Sequence, residues 1–467
     1  VKISCNWLKD YTGLDIPPHE LADILTMSGL EVEGVERYES ISGGLDGLVV
    51  GEVLHVEKHP DADKLKLTKV NVGQEAPLDI VCGAPNVAAG QKVIVALVNA
   101  KLYPTSGEPF VIKKSKIRGA VSEGMICAED EIGLSGDHEG IMVLPENLQA
   151  GTPAADYFKP YSDFILDVNI TANRGDAMSH IGMARDVMAW WYTHRTPLAP
   201  LKFPETNIAV NATQSIDVKV ENSAACKRYS GLLIDNIQVK PSPDWLQNKL
   251  KAVGIKPINN IVDVTNFVML EMGQPLHAFD ADKIRGNKVS VKTLPKGSTF
   301  VTLDNKEVKL HTDDLMICDA NGGMCIAGVY GGLDSGITGI TKRMFLESAC
   351  FDPIYIRKTS QRHQLRTDAA TRFEKTTDAA LTVVALKRAA ALISELAGGR
   401  VVSDVIDIYP NPTKPVNVTL SQRRLNQIAG VDVSKDIVQT VLTSLGFKEV
   451  SNDNNAVTWS VPSYKSD

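Results

Sequence analysis

The sequence predicts an α+β multidomain protein: a small discontinuous α/β domain carrying an inserted β-barrel, then a larger mixed α/β domain, then a short helix and hairpin module. Three observations predict it. A chain of 467 residues exceeds what one hydrophobic core ordinarily organises. Between residues 47 and 150, short alternating runs at 49–53, 66–72, 79–81 and 92–98 are split by turn residues, the rhythm of a small closed barrel. Helical periodicity returns on both sides of that stretch, so the flanks read as two parts of one domain.

The first flank holds Pro17-Pro18 as a helix-start signal, Leu21, Ile24, Leu25 and Leu30 near helical spacing, and a short strand at 32–35. It is too small to fold alone. Residues 164–191 supply a strand through Ile165, Val168 and Ile170, then Asn173-Arg174-Gly175-Asp176 and a helix. That turn reads as a helix cap or as an active loop. Residues 1–39 and 152–200 are therefore expected to form one domain, with 40–151 inserted as an OB-fold barrel. In the insert, Lys113, Lys114, Lys116 and Arg118 crowd one segment, with Lys64, Lys66, Lys69 and His59 from earlier turns. They form a phosphate-tracking groove or a solvated basic face. His55 and His59 are four apart, but the strand before them and Pro60 after them disfavour a zinc pair.

A proline-interrupted linker containing Pro197, Pro200 and Pro204 leads into residues 201–399. Here 245–253 reads as a helix, 264–272 as an apolar strand or a buried helix, and 315–318 with 324–329 as a hairpin turning through Asn321-Gly322. Leu381, Val384, Ala385, Ala389, Leu392 and Leu396 stripe a closing helix that stops at Gly398-Gly399. Residues 400–467 carry two short helical patterns, 422–429 and 435–445, then strands at 448–450 and through Val457, Trp459 and Val461.

Composition narrows the class. With 43% hydrophobic and 22% charged residues the chain reads as folded. No apolar run reaches membrane-spanning length and VKISCNWLKDY lacks a signal peptide's apolar core, so a cytoplasmic protein with no membrane partner is expected. Seven cysteines without a C-x-x-C pair point to reduced thiols. A net charge of −7 requires any RNA contact to be local.

The most chemically loaded stretch is NNIVDVTNFVMLEMGQPLHAFD, 259–280, which sets Thr265, Asn266 and His277 in apolar surroundings. Polar groups there need partners, or a ligand to supply them. Its companion is GVYGGLDSGITGI, 328–340, where glycines let backbone approach a ligand closely. Phe345-Leu346-Glu347 and Arg366-Thr367-Asp368-Ala369 follow. Together these segments resemble the editing region of the bacterial phenylalanyl-tRNA synthetase β subunit. HVEKHPDADKLKLTKVNVG, DIVCGAPNV and KIRGAVSEGMICAEDEIGL resemble the tRNA-binding OB domain shared by several synthetases, and 400–467 is similar to the family's winged-helix-like module.

The resemblance implies a subunit of an enzyme of two α and two β chains that joins phenylalanine to its tRNA with ATP. The synthetic site is expected on the α subunit, and no Gly-x-x-x-x-Gly-Lys loop occurs here. What it implies for this chain is hydrolysis of mischarged tyrosyl-tRNA, because a phenylalanine pocket rejects tyrosine weakly and needs a second sieve. Glu347 would accept the tyrosine hydroxyl, Gly328 and Gly331 would shape the floor, and Thr367 and Ala369 would line it. His277, with Thr265 and Asn266, would face the ester. Asp467 would join Mg2+ ligands lying further along the family's chain, which makes the sequence read as a fragment.

Other readings stay open on the residues alone. His277 could be a hydrogen-bonded core group, and Glu347 could close a buried salt bridge with Arg343, Arg357 or Arg366. The chain could be a tRNA-binding scaffold without hydrolysis. A hydrolase using Cys318 or Cys325 with His311 or His363 lacks a nucleophile-elbow context.

Overall fold

A computed structural model describes residues 1–195, 199–453 and 456–465. The chain packs into two compact units, one of Arg37–Asp163 and one of Val1–Glu36 with Phe164–Asp467. The Arg37–Asp163 unit interrupts the other, starting three residues earlier and ending twelve residues later than the expected 40–151. Among the described residues no helix is long and apolar enough to cross a membrane.

In the Arg37–Asp163 unit the main sheet runs in the order Gly124–Ile126, Lys92–Leu97, Leu48–Lys58, Lys66–Asn71, Leu78–Cys82. The Glu123 N–H donates to the Asp79 carbonyl and the Val81 N–H to Ser122 Oγ, which brings the last strand beside the first and nearly closes a barrel. Residues Val93 to Ala96 of the Lys92–Leu97 strand are all apolar and buried because both faces are covered there. Val93 and Val95 join Val53, Val70 and Ile80, while Ile94 and Ala96 pack with Val50, Leu102 and Cys127.

The other unit begins with Lys2–Ser4, paired antiparallel to Ser162–Val168. The Cys5–Thr12 helix follows at once, with Ser4 accepting from the Trp7 N–H and Gly13 closing it at φ 70°. The helix predicted from Pro17-Pro18 spans Pro18–Met27. His180–His194 is capped by Ser179, whose hydroxyl accepts from the Gly182 N–H. The capping reading of Asn173–Asp176 is therefore corrected: that turn binds charge instead. Arg174 reaches Asp176 and Asp186, and Lys465 reaches Asp176 at 2.8 Å.

Two five-stranded sheets, a small two-stranded sheet of Thr299–Val301 with Glu307–Lys309, and a helical layer make up residues 217–408. One sheet runs Leu276–Asp280, Met344–Phe351, Cys226–Asp235, Arg400–Val401; the other runs Asp217–Val220, Lys288–Thr293, Leu315–Cys318, Gly323–Ile326, Tyr330–Gly331. Between them lies one core that includes Tyr229, Phe279, Phe345, Phe351, Met316 and Ile326. The open reading of 264–272 resolves as a buried helix, Asn260–Met272, capped by the Asn259 side chain. It packs with Leu381–Ala397, which covers the far face of the first sheet through a Ser348 Oγ bond to the Thr382 carbonyl. Every residue of Met344–Phe351 is consequently buried, and its two polar members, Glu347 and Ser348, each find a partner on opposite faces. The predicted hairpin turn is present, with Asp319 Oδ1 accepting from the Asn321 and Gly322 N–H groups.

The last module has the expected two helices and hairpin, preceded by a strand, Val416–Ser421, that was not anticipated. Gln422–Ala429 and Lys435–Ser444 are capped by Ser421 and Ser434, and Val416–Ser421, Ala456–Val461 and Lys448–Asn452 form an antiparallel sheet. Trp459, on the predicted alternation, is its buried side chain.

Candidate functional site

Strand register builds the site. His277 on Leu276–Asp280 lies directly opposite Glu347 on Met344–Phe351, so both side chains leave the sheet on its core side. They then diverge. The Glu347 carboxylate leans over the neighbouring strand, where Oε2 accepts the Tyr229 hydroxyl at 2.7 Å. The His277 ring sits edge-on to Phe279 at 4.4 Å and against Gly331, where a Cβ would come within 3.3 Å of the ring.

Burial sets the electrostatics. It pushes the Glu347 carboxyl up to about 7, while the Tyr229 hydrogen bond acts in the opposite direction. Tyr229, fully enclosed, is pushed well above the ordinary phenol range by burial and then by the Glu347 charge. Burial lowers His277 to about 4, so the imidazole is neutral at physiological pH. Its Nε2 is enclosed and without a partner among the described residues.

The glycine turn and the Thr367 segment close in from the other sheet. Gly328 sits at φ 67°, and a Cβ there would lie 2.8 to 3.0 Å from Phe351, Phe373 and Ile356, so the chain needs glycine on both grounds. Thr367 caps Asp368–Glu374 through the Ala370 N–H and donates its hydroxyl to the Val329 carbonyl at 3.1 Å, tying the helix to the glycine turn. Ala369 packs half-buried on the same core. Gly331 thus lies against His277, while Gly328, Thr367 and Ala369 border the same core onto which Glu347 projects.

It does not group Thr265 and Asn266 with them. Both ride on the Asn260–Met272 helix, which packs with Leu381–Ala397 on the opposite side of the sheet, and the Thr265 hydroxyl donates to Val262 of its own helix at 2.7 Å. Apolar sequence context does not reveal which face of a sheet a helix covers. Tyr229 was not anticipated either, because in sequence it reads as one more core aromatic on a strand.

The alternative chemistries are corrected in turn. Glu347 closes no salt bridge with the named arginines: Arg343 pairs with Asp282 at 3.1 Å, and Arg357 and Arg366 are exposed. Burial pushes the Cys318 thiol up to about 11 and the Cys325 thiol well above the ordinary thiol range, which suppresses the nucleophilic thiolate. His363 is held by buried Asp314 at 2.7 Å, alongside Thr359 and Arg362.

In the barrel unit, Lys113, Lys114, Lys116 and Arg118 are all exposed on and around the Ser115–Ile117 strand, and Lys64 is exposed on an earlier turn. Lys114 pairs with Glu123 at 2.7 Å. Lys66 is a correction: its ammonium donates to the Pro85 and Val87 carbonyls, both at 3.0 Å, and so secures a loop instead of facing a ligand. His59 is buried, with Nδ1 accepting from the Asp61 N–H. A groove of about 620 Å3 opens beside the basic segment, lined by Lys113, Ser115, Ile117, Met125 and His138 among others. The expected Mg2+ ligand, Asp467, lies outside the described residues; among those described, no group of three or more His, Cys, Asp or Glu could hold a metal ion.

Comparison with known proteins matches three family models: a tRNA binding domain over residues 48–153, a B3/4 domain over 225–398 and a tRNA synthetase B5 domain over 418–467. The Glu347 cluster falls inside the B3/4 match. The chain is 49% identical over 469 residues to the phenylalanine–tRNA ligase beta subunit of Bacteroides fragilis, and 50% identical over 469 residues to those of Bacteroides thetaiotaomicron and Porphyromonas gingivalis. In each case the match covers 100% of this chain and 57% of the relative, so the chain spans little more than half their length. Its domain matches fall in one continuous alignment to these relatives, and the chain belongs to the phenylalanine–tRNA ligase beta subunit family.

Proposed function

We propose that this chain carries tRNA binding and hydrolytic editing of tyrosyl-tRNA within a phenylalanine–tRNA ligase, with the synthetic site on an α subunit and two copies of each chain in the assembled enzyme. ATP with Mg2+ would drive ligation in that assembly, which would work in the cytoplasm. The domain reading that goes with it is 1–39 with 152–200, an OB fold at 40–151, an editing domain at 201–399 and a winged-helix-like module from 400. The matched segments support this division.

The observation that carries the editing reading is a buried carboxylate, Glu347, beside a neutral imidazole with an unpartnered nitrogen, His277, under a glycine turn. A tyrosine phenol entering the site would donate to Glu347. Phenylalanine would leave that acceptor unpaired, a cost of about 1–3 kcal/mol that separates the two amino acids roughly 10- to 100-fold. His277 Nε2 would hydrogen-bond the attacking water or the ester oxygen. An imidazole lowered to about 4 is a weak base, so it orients the water more than it removes a proton. The hydroxyls of the terminal ribose and an oriented water suffice for ester cleavage without a covalent nucleophile.

The test is deacylation of tyrosyl-tRNA and phenylalanyl-tRNA by this chain. The tyrosyl ester should be hydrolysed roughly 10- to 100-fold faster. Binding of tRNA without hydrolysis of either ester would favour the scaffold reading.

For the barrel unit we infer backbone contacts from Lys113, Lys116 and Arg118, whose side chains are exposed with no acidic partner among the described residues. Replacing all three with Gln should lower the slope of log affinity against log salt by about 2–3, since each phosphate contact contributes about 0.7–0.9. An unchanged slope would make this face a spacer or a protein contact.

A further inference from the structure

Tyr229 donates a hydrogen bond to Glu347, and no motif brought it forward. Its ring is fully enclosed, so its hydroxyl cannot turn to solvent, and its recorded hydrogen bond is the one to Glu347 Oε2 at 2.7 Å. Glu347 itself keeps 5% exposure, and its other oxygen, Oε1, has no partner among the described residues. The carboxylate is thus divided: one oxygen is taken permanently by a phenol built into the fold, and the other is left free. A carboxylate has lone pairs for both.

We propose that Tyr229 is a positioning residue for amino-acid specificity, fixing the Glu347 carboxylate and favouring its ionised form so that Oε1 is presented to the phenol of a substrate tyrosine. This rests on the editing reading above. The physical need is specific. A buried carboxyl tends to take up a proton, and a protonated Glu347 would offer a substrate phenol a weaker, neutral acceptor. A fixed O–H donor favours the anion, because it bonds to the charged form more strongly than to the acid. Strand register supports the assignment. Tyr229 lies opposite Ala349, two residues along from Glu347 on the same face, and the Tyr229 strand has a glycine, Gly231, directly opposite Glu347. A Cβ on Gly231 would come within 2.3 Å of the Phe345 ring, so no side chain at that position interposes between Tyr229 and Glu347.

The experiment is Tyr229→Phe, which removes only the oxygen. Two readouts are taken: the titration midpoint of Glu347 by 13C NMR of a side-chain-labelled protein, and the ratio of tyrosyl- to phenylalanyl-tRNA hydrolysis between pH 6 and 8.5. The midpoint should rise by about one pH unit. The ratio should fall roughly fivefold at neutral pH and recover as pH rises, once Glu347 ionises without help. A purely structural tyrosine would move neither the midpoint nor the pH at which selectivity appears. If Tyr229→Phe does not fold, 3-fluorotyrosine placed at position 229 keeps the hydroxyl as a stronger donor and should move the midpoint down. An unmoved midpoint in either protein overturns the proposal. Failure of the parent to hydrolyse tyrosyl-tRNA overturns the editing reading instead, and the Glu347 titration still decides the coupling to Tyr229.

Discussion

Glu347→Gln should abolish most of the preference for tyrosyl- over phenylalanyl-tRNA while leaving the fold intact. The amide keeps an oxygen for the Tyr229 hydroxyl, so no buried donor is orphaned. What it loses is charge. A hydrogen bond to an ionised acceptor contributes about 1.5–3 kcal/mol against about 0.5–1.5 for a neutral pair, so selectivity should drop by roughly one order of magnitude or more. Glu347→Ala removes the acceptor outright and should lose more selectivity, with some loss of stability because Tyr229 is then unpaired. His277→Gln should slow both esters without reversing their order, since the ring turns toward Gly331 and away from the carboxylate. Deacylation of both esters, measured beside the melting temperature, separates these outcomes. A Glu347→Gln protein as selective as the parent would place the discriminator elsewhere.

The same two residues should tilt stability against pH in opposite directions. Glu347 is raised from 4.5 to about 7, so the native state binds its proton more tightly than the unfolded chain; this favours folding below pH 4.5 and is lost as pH rises to about 7. His277 is lowered from 6.5 to about 4, so its contribution is present above pH 6.5 and is lost as pH falls to about 4. Each displacement corresponds to on the order of 3 kcal/mol. In the parent the two slopes nearly cancel between pH 4.5 and 6.5. Glu347→Gln should therefore make stability rise with pH across that window relative to the parent, and His277→Gln should make it fall. Urea midpoints at several pH values read this directly. Parallel profiles for parent and variants would mean that neither group is buried in the form described.

Much of this was legible because chemistry and turn geometry leave marks in sequence. Asn321-Gly322 between apolar runs could hardly be other than a hairpin, and Gly398 after a long apolar stripe marks a helix end. Glu347 came forward through the family resemblance, since its strand context alone fitted a buried salt bridge as well; it is buried and partnered by a phenol. Sequence could not show the partner, because Tyr229 is 118 residues away and meets Glu347 only through strand register. Thr265 and Asn266 looked like site residues for the same reason His277 did, being polar amid apolar neighbours. The sheet separates their helix from the Glu347 face, a distinction that periodicity alone does not carry. Lys66 illustrates the reverse error: a lysine in a basic segment whose charge the fold uses to hold two carbonyls.

Recognition of a phenol by Glu347 is open to a direct binding measurement. Binding of a non-hydrolysable tyrosyl-amide analogue of the terminal adenosine, in competition with its phenylalanyl counterpart, tests it without relying on turnover. The tyrosyl analogue should bind the parent roughly tenfold or more tightly than the phenylalanyl one, and the two should bind Glu347→Gln alike. Equal affinity of the parent for both analogues, or a tyrosyl preference that survives in Glu347→Gln, would contradict it.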